Sequence, residues 1–210
     1  MTSKIRFRGA TSGFVELAAP DAAGSNTLVL PTGNGTSGQY LQTNGSGALS
    51  WATVSTSNLT RGTAASLTGT SVTFTSLPAG IRRLIISISG GSVNGDSDLG
   101  IRIGDSGGIE TTGYASTAST QSSATTANST SGFIIAVAVS ATSLHSGIVT
   151  LANINSTSWV SNGILKEGTT TLRTSAGDKS LSDVLTQVRI TTVNGTDTFD
   201  AGTINILYEG

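Results

Sequence analysis

The sequence predicts an all-β protein: a C-terminal antiparallel β-sandwich, jelly-roll-like, preceded by an N-terminal arm of short β-hairpins. Three observations predict it. Thr, Ser, Val, Ile and Gly dominate the 210 residues, and no 3.6-residue apolar period is sustained, so helices have little to build on. Strand-like runs recur at the short spacing of a sandwich or barrel. Five Asn-Gly pairs, starting at Asn34, Asn44, Asn94, Asn162 and Asn194, sit between or beside those runs. Both residues of such a pair tolerate the positive φ that a tight hairpin turn demands.

The first element is "KIRFR", where Lys4, Arg6 and Arg8 alternate with Ile5 and Phe7, so a strand puts three cations on one face and two apolar side chains on the other. The runs "GFVELAA", "NTLVL", "QYLQT" and "LSWATV" follow, separated by Gly and Pro turns, with Trp51 read as packing. This arm, residues 1–57, is too poor in apolar residues for a core of its own, and two-stranded pieces are marginal in water. It must lean on identical chains or on a partner. Residues 58–66, within "STSNLTRGTAAS", lack a strand pattern and are read as a linker.

Residues 67–210 hold nearly all the long apolar strands, from "SVTFTS" to "TINILYE". In "RRLIISISG", Leu84, Ile86 and Ile88 face one way and Arg83, Ile85, Ser87 and Ser89 the other, which predicts a central strand with one wholly apolar face. The last run sets Ile204, Ile206 and Tyr208 opposite Asn205, Leu207 and Glu209, so the chain end belongs to the sheet and its truncation is damaging. "SLSDVL", 180–185, is the one segment that could form a helical turn. The polar tract 115–132 is long for a loop in a compact domain and is read as an apical variable loop or as simple flexibility.

Composition excludes several function classes. The charged fraction is 11%, against about 25% in ordinary domains. With a formal net charge of -1 there is no cationic footprint for nucleic acid. No cysteine is present, which removes disulfides and thiolate metal sites. The most apolar run, "FIIAVAV", is far shorter than the roughly 20 residues of a membrane helix, and Met1 is not followed by a signal-peptide core. No cofactor, metal, nucleic acid or membrane insertion is expected.

"GDSGG", residues 104–108, matches the string around a trypsin-type nucleophile and, in its outer glycines and serine, the hydrolase elbow. A nucleophilic serine needs an oriented base, and the sole histidine, His145, follows Ser106 in the chain instead of preceding it. The hydrolase order would need Glu110 as the acid, in a fold of alternating strands and helices that this sequence does not contain. The string is read as a tight glycine turn between two strands and the protein as no enzyme.

Other positions carry binding readings beside plainer ones. "KIRFR" could dock on an acidic patch by strand addition, or serve as an edge strand whose cations discourage aggregation. Asn94, Asp96 and Asp98 alternate, with Asp105 beyond, but the sixth position of a calcium loop would be Leu99 instead of glycine, so a surface turn is preferred. His145 lies between two apolar runs, either as an exposed hairpin residue or as a contact to a receptor glycan. Tyr114 and Trp159 could stack on sugars, or fill the core or a subunit interface.

The segment "KIRFRGATSGFVELAAPDAAGSNTLVLPTGNGTSGQYLQTNGSGALSWATV", 4–54, resembles a module recurrent in tail-fibre and other virion proteins of bacteriophages, especially cyanophages and other marine phages. "GIRRLIISISGGSVNGDSDLGIRIGDSGGIETTGY" and "VRITTVNGTDTFDAGTINILYE" are similar to a C-terminal domain of phage fibre and surface proteins. The resemblance implies a virion protein made in the host cytoplasm, usually a homotrimer held to other virion proteins of capsid or tail. Two roles then compete: a fibre or knob whose loops touch a host cell-surface glycan, and a capsid decoration or cement protein clamped by its arm. A polysaccharide-cleaving enzyme, which needs paired carboxylates across a groove, is the weakest reading, because acidic residues are few and scattered.

Overall fold

A computed structural model gives the structure of the protein and describes residues 4–22, 24–54 and 59–210. The chain divides into two compact units, Met1–Thr56 and Ser57–Gly210. Residues 55–58, where the expected boundary between arm and linker falls, lie outside the described residues.

The first unit contains two separate hairpins. β1 (Lys4–Arg8) pairs antiparallel with β2 (Phe14–Ala18), and β3 (Gln39–Thr43) with β4 (Leu49–Thr53). Asn44 and Gly45 make the second turn: the Asn44 side-chain oxygen accepts from the backbone N–H groups of Ser46 (2.8 Å) and Ala48 (3.1 Å). Trp51 donates its indole N–H to the Gly33 carbonyl at 2.6 Å, which ties the preceding turn to β4. "NTLVL", expected as a strand, makes only one isolated bridge, from Val29 to Ala48. Leu28, Val29 and Leu30 are all exposed, so nothing in the arm rewards a second pairing.

The second unit is an all-β sandwich of two antiparallel sheets. Its strands are β5 (Leu59–Arg61), β6 (Ala65–Ser66), β7 (Ser71–Phe74), β8 (Arg83–Val93), β9 (Leu99–Asp105), β10 (Gly108–Ile109), β11 (Tyr114–Thr120), β12 (Thr126–Ser129) and β13 (Phe133–Ala136). β14 (His145–Asn153), β15 (Ser158–Glu167), β16 (Thr171–Ser180), β17 (Gln187–Thr192) and β18 (Phe199–Glu209) complete it. The large sheet runs β12-β11-β16-β15-β14-β8-β18-β5, with β6 also on β18. The small one runs β10-β9-β17-β7, with β13 beside β10 on the same edge of β9.

Period-2 alternation places the core. Leu84, Ile86 and Ile88 of β8, Val149 and Leu151 of β14, and Ile204 and Ile206 of β18 are buried together with Ile101 and Ile103 of β9 and Val188 and Ile190 of β17. β8 is central, flanked by β14 and β18, as its one apolar face predicts. Tyr208, on the same face of β18, is half-buried against this core.

Four expectations are corrected. Residues 59–61 and 65–66 are not linker: they pair with β18, where Gly62 N–H also donates to the Ile206 carbonyl (2.8 Å). The tract 115–132 is not a loop: β11 and β12 form a hairpin around 121–125, and β11 is bonded to β16 along its whole length. Its inward positions, Ser116, Ala118 and Thr120, are small instead of strongly apolar, which hid the strand. Asn162 and Gly163 lie inside β15, paired on both sides, and form no turn. "SLSDVL" forms no helical turn; Glu110 accepts both the backbone N–H (2.7 Å) and the hydroxyl (2.9 Å) of Ser182 there.

Candidate functional site

In the first hairpin, β1 and β2 align residue for residue, and alternation sorts the side chains onto two faces. One face carries Lys4, Arg6, Arg8, Phe14 and Glu16. Glu16 takes the Lys4 ammonium at 2.9 Å and the Arg6 guanidinium at 2.5 Å, and the Arg6 guanidinium also lies 4.0 Å over the Phe14 ring. Two of the three cations expected to meet an acidic partner are therefore engaged within the hairpin. The other face carries Ile5, Phe7, Val15 and Leu17, which are 62%, 57%, 68% and 63% exposed.

"GDSGG" is a hairpin turn. Asp105 pairs with Gly108 across a two-residue tip, Ser106 is exposed there, and Gly108 adopts φ +123°, a conformation suited to glycine. Asp105 accepts from the Gly107 N–H at 2.7 Å and from the Ser182 hydroxyl at 2.6 Å. The Ser182 bond, with that of Gly107, holds its carboxyl below the usual range despite burial. Ser106 belongs to the small sheet, whereas His145 starts a strand of the large one.

Asn94 and Asp96 are exposed in the turn between β8 and β9. The Asn94 side-chain oxygen accepts from the Thr198 N–H at 2.8 Å, which locks this turn to the one before β18. Asp98 is turned toward the backbone of Ala138 and Val139, and its burial raises its pKa although those contacts and Arg173 oppose the rise. Asp197 instead accepts the Ser97 N–H at 2.9 Å. Asp96, Asp98 and Asp197 line one open hollow, yet no group of three metal-capable side chains occurs among the described residues.

His145, Tyr114 and Trp159, expected as exposed receptor contacts or as core, are interior. Inward alternation with Val149 and Leu151 buries His145 completely, at the start of β14. Trp159 and Tyr114 occupy the equivalent inward positions of β15 and β11. The Tyr114 hydroxyl accepts from the Ile103 N–H at 2.8 Å, its ring meets Phe133 edge-on at 5.0 Å, and burial pushes its pKa up to about 12. Among the described residues of this unit no large apolar side chain of the exposed class is aromatic; Phe74 and Tyr208 are half-buried against the core.

Two polar clusters unforeseen from sequence lie inside the sandwich. In one, Arg173, 2% exposed, donates to Glu167 and, at 3.1 Å, to the Ala138 carbonyl, while Ser143 also donates to Glu167. His145 faces this pair with neither ring nitrogen in a hydrogen bond. Burial, and then the Arg173 charge, lower its pKa, against smaller opposing effects of Glu167 and the Gly91 backbone. In the other cluster, Lys179 pairs with Glu110 and donates to the Ser180 carbonyl at 2.7 Å, its ammonium 5.4 Å from the Tyr114 ring centre. Burial works against the Glu110 charge, but Lys179 and Ser182 outweigh it and hold its carboxyl low. Charge sequestered this way was not legible, because single charged residues in polar strands read as surface.

The outer face of β11, β12, β15 and β16 forms an open groove of about 690 Å³ lined by Ala115, Thr117, Asn128, Val160, Ala176 and Asp178. Such small, mostly uncharged side chains suit hydrogen bonding and close packing. No protein-family model, curated protein or solved structure matches this chain.

Proposed function

We propose that this chain is a non-enzymatic structural protein of a bacteriophage virion: a trimeric surface fibre or knob, attached by its arm and presenting its sandwich to the host surface. The observation that carries this reading is the contrast between the units. The second has a contiguous buried core, whereas no described residue of the first is buried. An arm with no interior of its own is a part made to be covered in an assembly. The resemblance of 4–54 to phage virion modules gives the assembly its class. Host contact falls to the exposed turns, Asn94 and Asp96, the Ser106 tip and residues 121–125, in place of the buried His145, Tyr114 and Trp159.

A capsid decoration role is the second reading, and the open apolar face of the β1–β2 hairpin favours it, since such a face suits a clamp on neighbouring shell subunits. Copy number per purified particle, by quantitative mass spectrometry with immunogold labelling, separates the two. A few tens or fewer, clustered at a tail or vertex, fit the fibre; hundreds spread over the shell fit decoration. Absence from the particle overturns both. For the fibre, the isolated protein adsorbs to host cells and loses adsorption when the 121–125 turn is replaced, a change that spares the β11 and β12 pairing.

A further inference from the structure

Of the five Asn-Gly pairs in the chain, four are held by their neighbours. The Asn44 side-chain oxygen accepts the Ser46 and Ala48 N–H groups, and the Gly45 N–H donates to the Thr43 hydroxyl at 3.1 Å. The Asn94 oxygen accepts the Thr198 N–H, and the Asn194 oxygen accepts those of Thr196 and Asp197, both at 3.0 Å. Asn162 and Gly163 are bonded into β15 with a strand on each side. Asn34 differs. It is exposed in the irregular segment before β3, and among the described residues nothing bonds its carboxamide or the Gly35 N–H. We propose that Asn34 and Gly35 form a self-modifying site, where the Gly35 backbone nitrogen attacks the Asn34 carboxamide carbon and converts the asparagine to a mixture of aspartate and isoaspartate. The inference goes beyond the virion reading and stands whether or not the protein is found on particles.

The reaction needs only water. The Gly35 nitrogen gives its proton to solvent and bonds to Asn34 Cγ, the Cγ–Nδ2 bond breaks, and ammonia leaves from a closed five-membered imide. Water then opens the ring at one of its two carbonyls. Opening at Cγ leaves aspartate; opening at the main-chain carbon leaves isoaspartate, with the backbone running through the former side chain. No atom is oxidised or reduced. Gly35 suits the attack because no Cβ shields its nitrogen, and it already sits at φ +68°, away from strand conformation. In the other four pairs the side chain must first leave its backbone partners, or the ladder must open. The product alters the arm. Trp51 is bonded to the Gly33 carbonyl, and its ring lies so close to Gly35 that a Cβ there would come within 2.6 Å of it. Isoaspartate inserts one methylene into the main chain between those two contacts, which shifts one against the other and loosens the tie to β4.

The test incubates the full-length protein in warm, mildly alkaline buffer and follows it by peptide mapping, with an isoaspartyl methyltransferase scoring the isoaspartate. The Asn34 peptide should gain its extra mass at least about fivefold faster than the other four, the worth of one hydrogen bond. In urea strong enough to unfold the chain, the five rates should converge. Tryptophan emission of the aged protein should move to the red in step with the conversion and stay fixed in Asn34→Gln, whose longer side chain does not close the five-membered ring. Conversion at Asn34 no faster than at Asn94 or Asn194, or a lead of Asn34 that persists undiminished in urea, overturns the proposal. An equal emission shift in Asn34→Gln overturns the loosening of Trp51.

Discussion

At the residue scale, His145 makes the sharpest prediction. Its folded pKa lies below the ordinary 6.5, so the unfolded chain takes up the proton first as pH falls. Its contribution to stability is complete above about 6.5 and is lost as pH drops from there toward the folded value, at up to about 1.4 kcal/mol per pH unit for one proton. Melting temperature followed from pH 7 to 5 should therefore fall in the parent protein and stay nearly flat in His145→Leu. Asp98, whose pKa is raised, works in the opposite direction at lower pH, while Glu167, Glu110 and Asp105 add further loss on acidification. Gly177 supplies a second test. A Cβ there would stand 2.7 Å from the Ala115 carbonyl oxygen and 3.0 Å from the Phe133 ring, so Gly177→Ala should cost about 1–3 kcal/mol in chemical denaturation. Neither position announced itself in the sequence. A lone histidine after a Ser/Thr run reads as surface, and a glycine in a polar strand reads as a turn. What decides both is which way the strand faces, and that follows from pairing.

At the element scale, the strands with one strongly apolar face were legible. β8 and β18 carry their isoleucines at alternate positions, and the sheets bury those positions. β11 and β5 were not, because their inward residues are Ser, Ala and Thr or their pairing is three residues long, and only the partner strand defines them. β16 shows the same limit differently: its inward Arg173 and Lys179 break any apolar pattern, yet each is buried against a carboxylate. Removing one member of such a pair leaves the other buried and uncompensated. Glu167→Ala should cost about 3–5 kcal/mol, while the double variant Glu167→Leu with Arg173→Met should cost far less, as equilibrium unfolding of the three proteins would reveal. The turns divided in the same way. Asn44-Gly45 and Asn194-Gly195 lie between strands, and Asn162-Gly163 has the same dipeptide in mid-strand, where bonding to both neighbours overrides turn preference.

For the whole molecule, the unequal packing of the two units predicts that they separate in behaviour. A chain lacking residues 1–54 should keep a cooperative unfolding transition within a few degrees of the parent's while losing particle association, measured by calorimetry and by incorporation into virions. A non-cooperative transition would show that the second unit depends on the arm. The thin apolar content of the arm was legible; the distribution of its open side chains on a single hairpin face needed the register of β1 against β2. One consequence of the large sheet concerns the order of events in the cell. β8 and β18 are neighbours there, with Arg83 opposite Glu209, so two strands made at widely separated moments of translation lie hydrogen-bonded side by side. While the ribosome works through the intervening chain, one flank of β8 has no partner, and the sandwich closes only when the final strand clears the exit tunnel. Folding of this domain thus waits on β18, and the nascent chain has to be kept from pairing its waiting strand with a neighbour's.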